Sequence, residues 1–267
     1  MPPALANAAF APDFNKLIDT VVVAEENDFE SIQLYVNDTI RSIDYRERLA
    51  EAINNSSLKS IVIHFPNVAD LKSPLIKATR TLVNALRKDL KLVGLIHYED
   101  SVELPHFKKL VERGLARTDM PFLSVYIPRF KRMPVGVENS KINEFDPEHV
   151  MRSFYFARFH GLPFVFDIGR IMYPKQDETI NEETKQEVYQ FIEWLISQLD
   201  PAIDVIHTSG KTEWGNFRDF ACALGADGDI TIPLMSVLKD FSDRGGIVVF
   251  EHEDLGQAID SKKNLEI

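Results

Sequence analysis

The chain has 267 residues, of which 45% are apolar and 27% charged, the balance of a soluble globular protein with a full core. Its net charge of −11 comes without a basic cluster and disfavours tight binding to a phosphate backbone. The single cysteine, Cys222, excludes an intramolecular disulfide and suits a reducing, cytoplasmic setting, and no apolar run approaches the ~18 residues of a membrane-spanning helix.

The N-terminal "MPPALANAAFAP" is small and apolar but lacks the basic start and long apolar stretch of a signal peptide. Ala4–Phe10 is therefore expected as a first strand. A helix is expected from Pro12 to Asp28, because Pro12 and Asp13 suit a first turn. Ser31–Asp38 reads as a strand and Tyr45–Ser57 as a short helix ending in polar turn residues. Lys59–Pro66 is a clear strand, followed by a helix over Ser73–Leu90 with apolar residues at helical spacing. Lys91–Asp100 is the next strand and Glu103–Ala116 the next helix. Met120–Pro134 holds three prolines and fits a loop, a broken helix or an inserted strand. Beyond it the rhythm resumes. Strands are expected at Pro134–Ser140, Leu162–Gly169, Ala202–Gly210 and Gly246–Asp254, and helices at Asp146–Gly161, Asn181–Asp200 and Ile232–Gly245.

Strands that alternate with helices imply βαβ units and a parallel sheet. Eight such units in about 250 residues point to a closed (β/α)8 TIM barrel, an α/β fold with outer helices; an open doubly wound sheet is the alternative. With no repeat, low-complexity stretch or linker, residues 1–267 are expected to form one domain.

Six of the eight expected strands end, on the C-terminal side, in a group that can bind a metal or move a proton. "IVIH" ends at His64, "VGLIH" at His97, "VGVE" at Glu138, "FVFD" at Asp167, "DVIH" at His207 and "IVVFE" at Glu251. Alone, a histidine after a strand is more often a satisfied core or loop residue, and a glutamate there is more often a surface or capping group. Together, in a barrel, all six converge on the mouth where active sites are built. Three carboxylates in one cavity are costly unless a cation balances them, so a divalent metal is expected.

Other features carry less. "GADGD", Gly225–Asp229, lacks the spacing of a P-loop or an EF-hand. There is no G-x-S-x-G elbow, and Cys222 has no histidine partner in sequence, so covalent nucleophilic catalysis is not supported. "RSFYFARF", Arg152–Phe159, looks like a helix packing face rather than a base-stacking platform.

The stretches "VGVENS", "FVFDIGRIMY", "VIHTSG" and "LGADGDITIPLMSVLKDFSDRGGIVVFEHE", in this order across Val135–Glu253, resemble the xylose isomerase-like TIM-barrel superfamily. That group includes sugar and sugar-phosphate isomerases and epimerases and the endonuclease IV family. The resemblance implies one divalent ion, Mn²⁺, Mg²⁺, Co²⁺ or Zn²⁺, held by Glu138, Asp167, His207 and Glu251, and no organic cofactor. It also implies that Glu138 and Glu251 act as base and acid on either face of the substrate, beside a metal-polarised carbonyl. Two positions depart from the pattern. The family usually has a histidine three residues after the aspartate, where this chain has Arg170. A second histidine is expected at Ala221, although Asp219 is kept. Losing both imidazoles argues against a trinuclear zinc site, while His64 and His97, which the nucleases use as ligands, remain.

The first expectation is thus a metal-dependent isomerase or epimerase of a small sugar, sugar phosphate or keto/hydroxy acid. His64, His97, Arg170, Lys211 and Arg218 would then bind substrate, with Arg170 pairing a carboxylate or phosphate. The alternatives are an endonuclease IV-like phosphodiesterase and a non-catalytic ligand-binding barrel in which Arg170 replaces metal charge by pairing Asp167 or Glu138. The expected partner is a small molecule rather than nucleic acid or membrane, and the sequence leaves room for a homo-oligomer.

Overall fold

The computed structural model describes residues 3–10, 13, 15–65, 74–97, 130–139, 147–172, 180–214 and 222–266. Eight parallel strands close into a barrel in sequence order: β1 (Ala4–Ala6), β2 (Ser31–Tyr35), β3 (Ser60–His64), β4 (Lys91–His97), β5 (Val135–Glu138), β6 (Phe164–Asp167), β7 (Val205–Thr208) and β8 (Ile247–Phe250). The last strand pairs with the first through Ala4↔Val249 and Leu5↔Phe250, so no edge is left open. The expected (β/α)8 barrel is thus the fold observed, and the open sheet is not.

Seven helices among the described residues surround it: α1 (Leu17–Glu26), α2 (Ile43–Asn55), α3 (Pro74–Ala85), α4 (Pro147–Phe159), α5 (Glu182–Gln198), α6 (Met235–Asp243) and α7 (Leu255–Glu266). Their starts follow cap chemistry. The Ser42 hydroxyl accepts from Tyr45 N at the head of α2, and Asn181 Oδ1 accepts from Thr184 N at 2.8 Å at the head of α5. None of these helices is long and apolar enough to cross a membrane.

The strand period of two divides the core into two layers. Ala4, Ala6, Val62, Val93, Leu95, Val165, Val205, Ile247 and Val249 fill the barrel itself, while Leu5, Ile32, Leu34, Ile61, Ile63, Phe164, Phe166 and Phe250 face the helices. The first strand is shorter than expected. After Ala6 the chain turns into a 3-10 helix, Asn7–Phe10, and Asn7 Oδ1 accepts from Tyr35 N at 2.7 Å, continuing the β1–β2 ladder by a side chain. α1 likewise begins at Leu17 rather than Pro12. The expected helix Glu103–Ala116 and the proline-rich stretch up to Arg129 lie outside the described residues.

Candidate functional site

The two-residue period that sends Val62, Leu95, Val165, Val205 and Val249 inward also sends inward the residue two positions on: His64, His97, Asp167, His207 and Glu251. Glu138 closes β5 on the same rim. Register completes the convergence, because His97 lies directly opposite Glu138, Asp167 opposite His207, and His64 opposite Tyr35. All six strand-end residues expected from the sequence meet at the C-terminal mouth.

Glu138 is the hub. Its side chain is 1% exposed. Oε2 lies 3.6 Å from His64 Nε2 and 3.6 Å from His97 Nε2, yet has no hydrogen-bond partner among the described residues. Oε1 accepts from Arg170 Nε at 3.2 Å and lies 3.8 Å from His207 Nδ1. Burial alone would push the Glu138 carboxyl up, but the Arg170 guanidinium outweighs it and holds the group below the ordinary carboxylate value.

Arg170 is 8% exposed and donates from Nε to Asp167 Oδ2 at 2.6 Å as well as to Glu138. Burial opposes its charge, but Glu138 and Asp167 overcome this and raise its affinity for the proton. The turn that carries it is built for this return. Arg170 N donates to Asp167 Oδ1 at 3.3 Å, and a Cβ on Gly169 would stand 3.1 Å from the same oxygen and 3.3 Å from Lys211 Cε. Asp167 is fixed in turn by Asn139, whose side chain accepts from Asp167 N at 2.8 Å and donates to Asp167 O at 3.0 Å. Arg170 Nη2 also reaches His97 Nε2 at 3.4 Å, near the outer limit of a hydrogen bond.

Glu251 stands just past β8, and its side chain is 19% exposed. Its Oε1 accepts from Gln33 Nε2 at 2.7 Å and from the Tyr35 hydroxyl, and lies 3.1 Å from His207 Nδ1. That last approach is off the hydrogen-bonding direction, since neither ring nitrogen of the fully buried His207 has a hydrogen-bond partner. Burial, and then the charge of Glu251, raise the Tyr35 hydroxyl well above its ordinary value, so it stays protonated and donates. The Tyr35 and His64 rings pack at a tilt of 30°, with centroids 4.3 Å apart. His64 Nδ1 is satisfied by Phe65 O at 3.0 Å, and burial pushes its pKa down to about 3. His64 is therefore a neutral imidazole whose Nε2 lone pair faces Glu138.

Lys211, beyond β7, is 2% exposed and lies beside Gly169; its backbone N–H is held by Asp229 Oδ1 at 2.9 Å. Arg218, Asp219 and Ala221 lie outside the described residues. Gln33 and Tyr35 were not among the expected site residues. Their signal was present in "SIQLY", where the same alternation places Ser31, Gln33 and Tyr35 on the inner face.

Among the described residues two donor trios could hold a cation, and both contain Glu138: His64–His97–Glu138 and Glu138–Asp167–His207, with donor atoms within 4.8 Å of one another in each. The first fits a divalent ion. It offers two imidazole nitrogens and a carboxylate oxygen, the donor set of open zinc sites, around a buried oxygen that otherwise lacks a partner. The second has the same kind of donors, but the Arg170 guanidinium stands between its two carboxylates. Glu251 falls in neither trio and is held instead by Gln33 and Tyr35.

No family model matches the chain, and no curated protein matches it in sequence. Solved structures do match in fold. A xylose isomerase domain protein from Alicyclobacillus acidocaldarius subsp. acidocaldarius is 14% identical, covering 100% of this chain and 97% of that one at a TM-score of 0.57. Endonuclease IV from Thermus thermophilus is 13% identical, covering 100% and 99%, at a TM-score of 0.56. SacUVDE is 12% identical, covering 100% and 98%, at a TM-score of 0.52. At these identities the likeness is one of fold: these structures share the (β/α)8 barrel observed here.

Proposed function

We propose that the protein is a divalent-metal-dependent isomerase or epimerase of a small anionic sugar, sugar phosphate or keto/hydroxy acid. The observation that carries the metal is the buried Glu138 Oε2, without a hydrogen-bond partner among the described residues and 3.6 Å from the Nε2 atoms of both His64 and His97. These three residues would hold the ion, which when bound would polarise a carbonyl or hydroxyl oxygen of the substrate.

The remaining steps belong to the chain. Both hydrogen bonds to Glu251 fall on Oε1, which leaves Oε2 to take a proton from one substrate carbon and deliver it to the neighbouring carbonyl carbon, while the hydroxyl proton passes to the former carbonyl oxygen. Tyr35 and Gln33 fix the carboxylate in place for that transfer. Glu138, held anionic by Arg170, is suited to be a ligand rather than the second proton carrier that the family resemblance implies. This asymmetry favours isomerisation, a 1,2-proton shift run by one base on one face, over epimerisation, which needs a proton carrier on each face. With Arg170 and Lys211 set against Glu138, Asp167 and Glu251, a divalent ion leaves one net positive charge for a substrate carboxylate or phosphate.

Calorimetric titration with Mn²⁺ and Zn²⁺ tests the metal, and a screen of ketoses and sugar acids tests the reaction. Saturable binding that Glu138→Gln abolishes is expected. No binding at saturating metal would instead favour a ligand-binding barrel in which Arg170 supplies the charge. A second reading, a phosphodiesterase, is favoured by the sharing of Glu138 between two trios, since paired cations suit in-line displacement at phosphorus. Chelator-sensitive cleavage of abasic-site DNA, with no turnover of any sugar, would select it.

A further inference from the structure

The trio Glu138–Asp167–His207 has the donors of a cation site but already contains a cation. Arg170 Nε lies 2.6 Å from Asp167 Oδ2 and 3.2 Å from Glu138 Oε1, so its one N–H is shared between the two carboxylates. The Asp167–Arg170 turn sets it there through the 3.3 Å bond from Arg170 N to Asp167 Oδ1, and Gly169 leaves the room. The bridge serves the two carboxylates and leaves out the histidine of the trio. His207, 0% exposed and 3.8 Å from Glu138 Oε1, keeps both ring nitrogens without a hydrogen-bond partner among the described residues, while the guanidinium's Nη2 turns to His97 Nε2 at 3.4 Å. A divalent ion would engage all three groups at once; an arginine engages two.

We infer that Arg170 is a resident cation that takes the place of a second divalent ion in the Glu138–Asp167–His207 trio and so limits the site to the ion at His64–His97–Glu138. The inference rests on the metal reading for its absolute count, but not for the difference that Arg170 makes. A charge tethered to the chain cannot be chelated away or exchanged. Asp167 and one oxygen of Glu138 are therefore committed to structure, while the open side of Glu138 remains for the exchangeable ion. It also separates this barrel from a two-cation hydrolase, which needs both trios filled by metal.

The test is the number of metal ions per chain, measured by elemental analysis after gel filtration and by calorimetric titration with ZnCl₂ and with MnCl₂. Arg170→Met removes the charge at similar volume and is expected to bind one more ion per chain than the wild type. His207→Ala added to Arg170→Met is expected to remove that extra ion. Arg170→Lys, which keeps a charge, is expected to match the wild type. An Arg170→Met count equal to or below the wild-type count overturns the inference, as does a wild-type chain that takes two ions. If Arg170→Met folds only when metal is present, its count in the metal-refolded state decides by the same criterion. A wild type that binds none, beside a variant that binds one, sinks the metal reading but upholds the role of Arg170.

Discussion

Two carboxylates at one rim have been given different tasks by their neighbours. Glu138 is buried and tied to Arg170, whereas Glu251 faces the mouth and is held by neutral donors. Glu251→Gln is therefore expected to leave fold and metal binding intact while lowering turnover by roughly 10²–10⁴-fold, the usual weight of a positioned base. Turnover within threefold of wild type on a substrate found by screening would remove Glu251 from the mechanism. Tyr35→Phe deletes one donor to Glu251 and is expected to lower kcat roughly 10–100-fold with little change in KM, in line with the roughly 1.5–3 kcal/mol of a hydrogen bond to a charged group. A raised KM with kcat unchanged would make Tyr35 a substrate contact instead. The strand-end acids and histidines were legible in the sequence because each ends an apolar run whose inward residues lie two apart. Tyr35 and Gln33 obey the same rule but escaped it, because "SIQLYVND" continues past Tyr35 and so hides where β2 ends. The bridging role of Arg170 was legible only as one of two options, since it depends on a turn folding back over Asp167.

At the scale of elements, the site depends on how closely β5 and β6 approach. A Cβ on Gly136 would fall 2.5 Å from the Pro163 carbonyl oxygen, a backbone atom that cannot swing aside. Gly136→Ala is therefore expected to cost about 1–3 kcal/mol, as overpacking does, and to loosen the Glu138 and Asp167 strand ends together. An unchanged denaturation midpoint would show that the strands separate freely. The start of β6 has its own anchor. Buried Asp204 accepts from Phe164 N at 2.8 Å, from Asp200 N at 2.7 Å and from both terminal nitrogens of Arg158 on α4. Asp204→Ala strands these donors and is expected to cost about 3–5 kcal/mol, read in a denaturant titration. Neither contact is visible in the sequence, because Gly136–Pro163 and Arg158–Asp204 are paired only by the barrel. Helix starts were more legible where a cap marks them, as at Asn181, than at α1, where Lys16 offers no side-chain cap.

For the molecule as a whole, the closed barrel sets an acid limit. Burial pushes His64 down to about 3 and His252, whose Nε2 meets Ser261 Oγ at 2.7 Å, down to about 4. Unfolded, each would titrate near 6.5, so between about pH 6.5 and pH 4 the unfolded chain binds more protons than the folded one. Stability is then full above about pH 6.5 and falls as the pH drops, by up to about 1.4 kcal/mol per unit for each imidazole. Denaturant midpoints of chelator-treated protein at pH 7 and pH 4.5 measure this, and equal midpoints would contradict it. The barrel was the most legible feature of the chain, because eight apolar runs alternating with amphipathic segments leave few architectures open. The chemistry that the barrel hosts turns on a single point at its mouth. Crystals soaked in MnCl₂ or ZnCl₂ and measured at the metal's absorption edge test it most directly. One anomalous peak is expected, in bonding contact with His64 Nε2, His97 Nε2 and Glu138 Oε2; a peak instead among Glu138, Asp167 and His207 with Arg170 displaced, or none at saturating metal, would rule that site out.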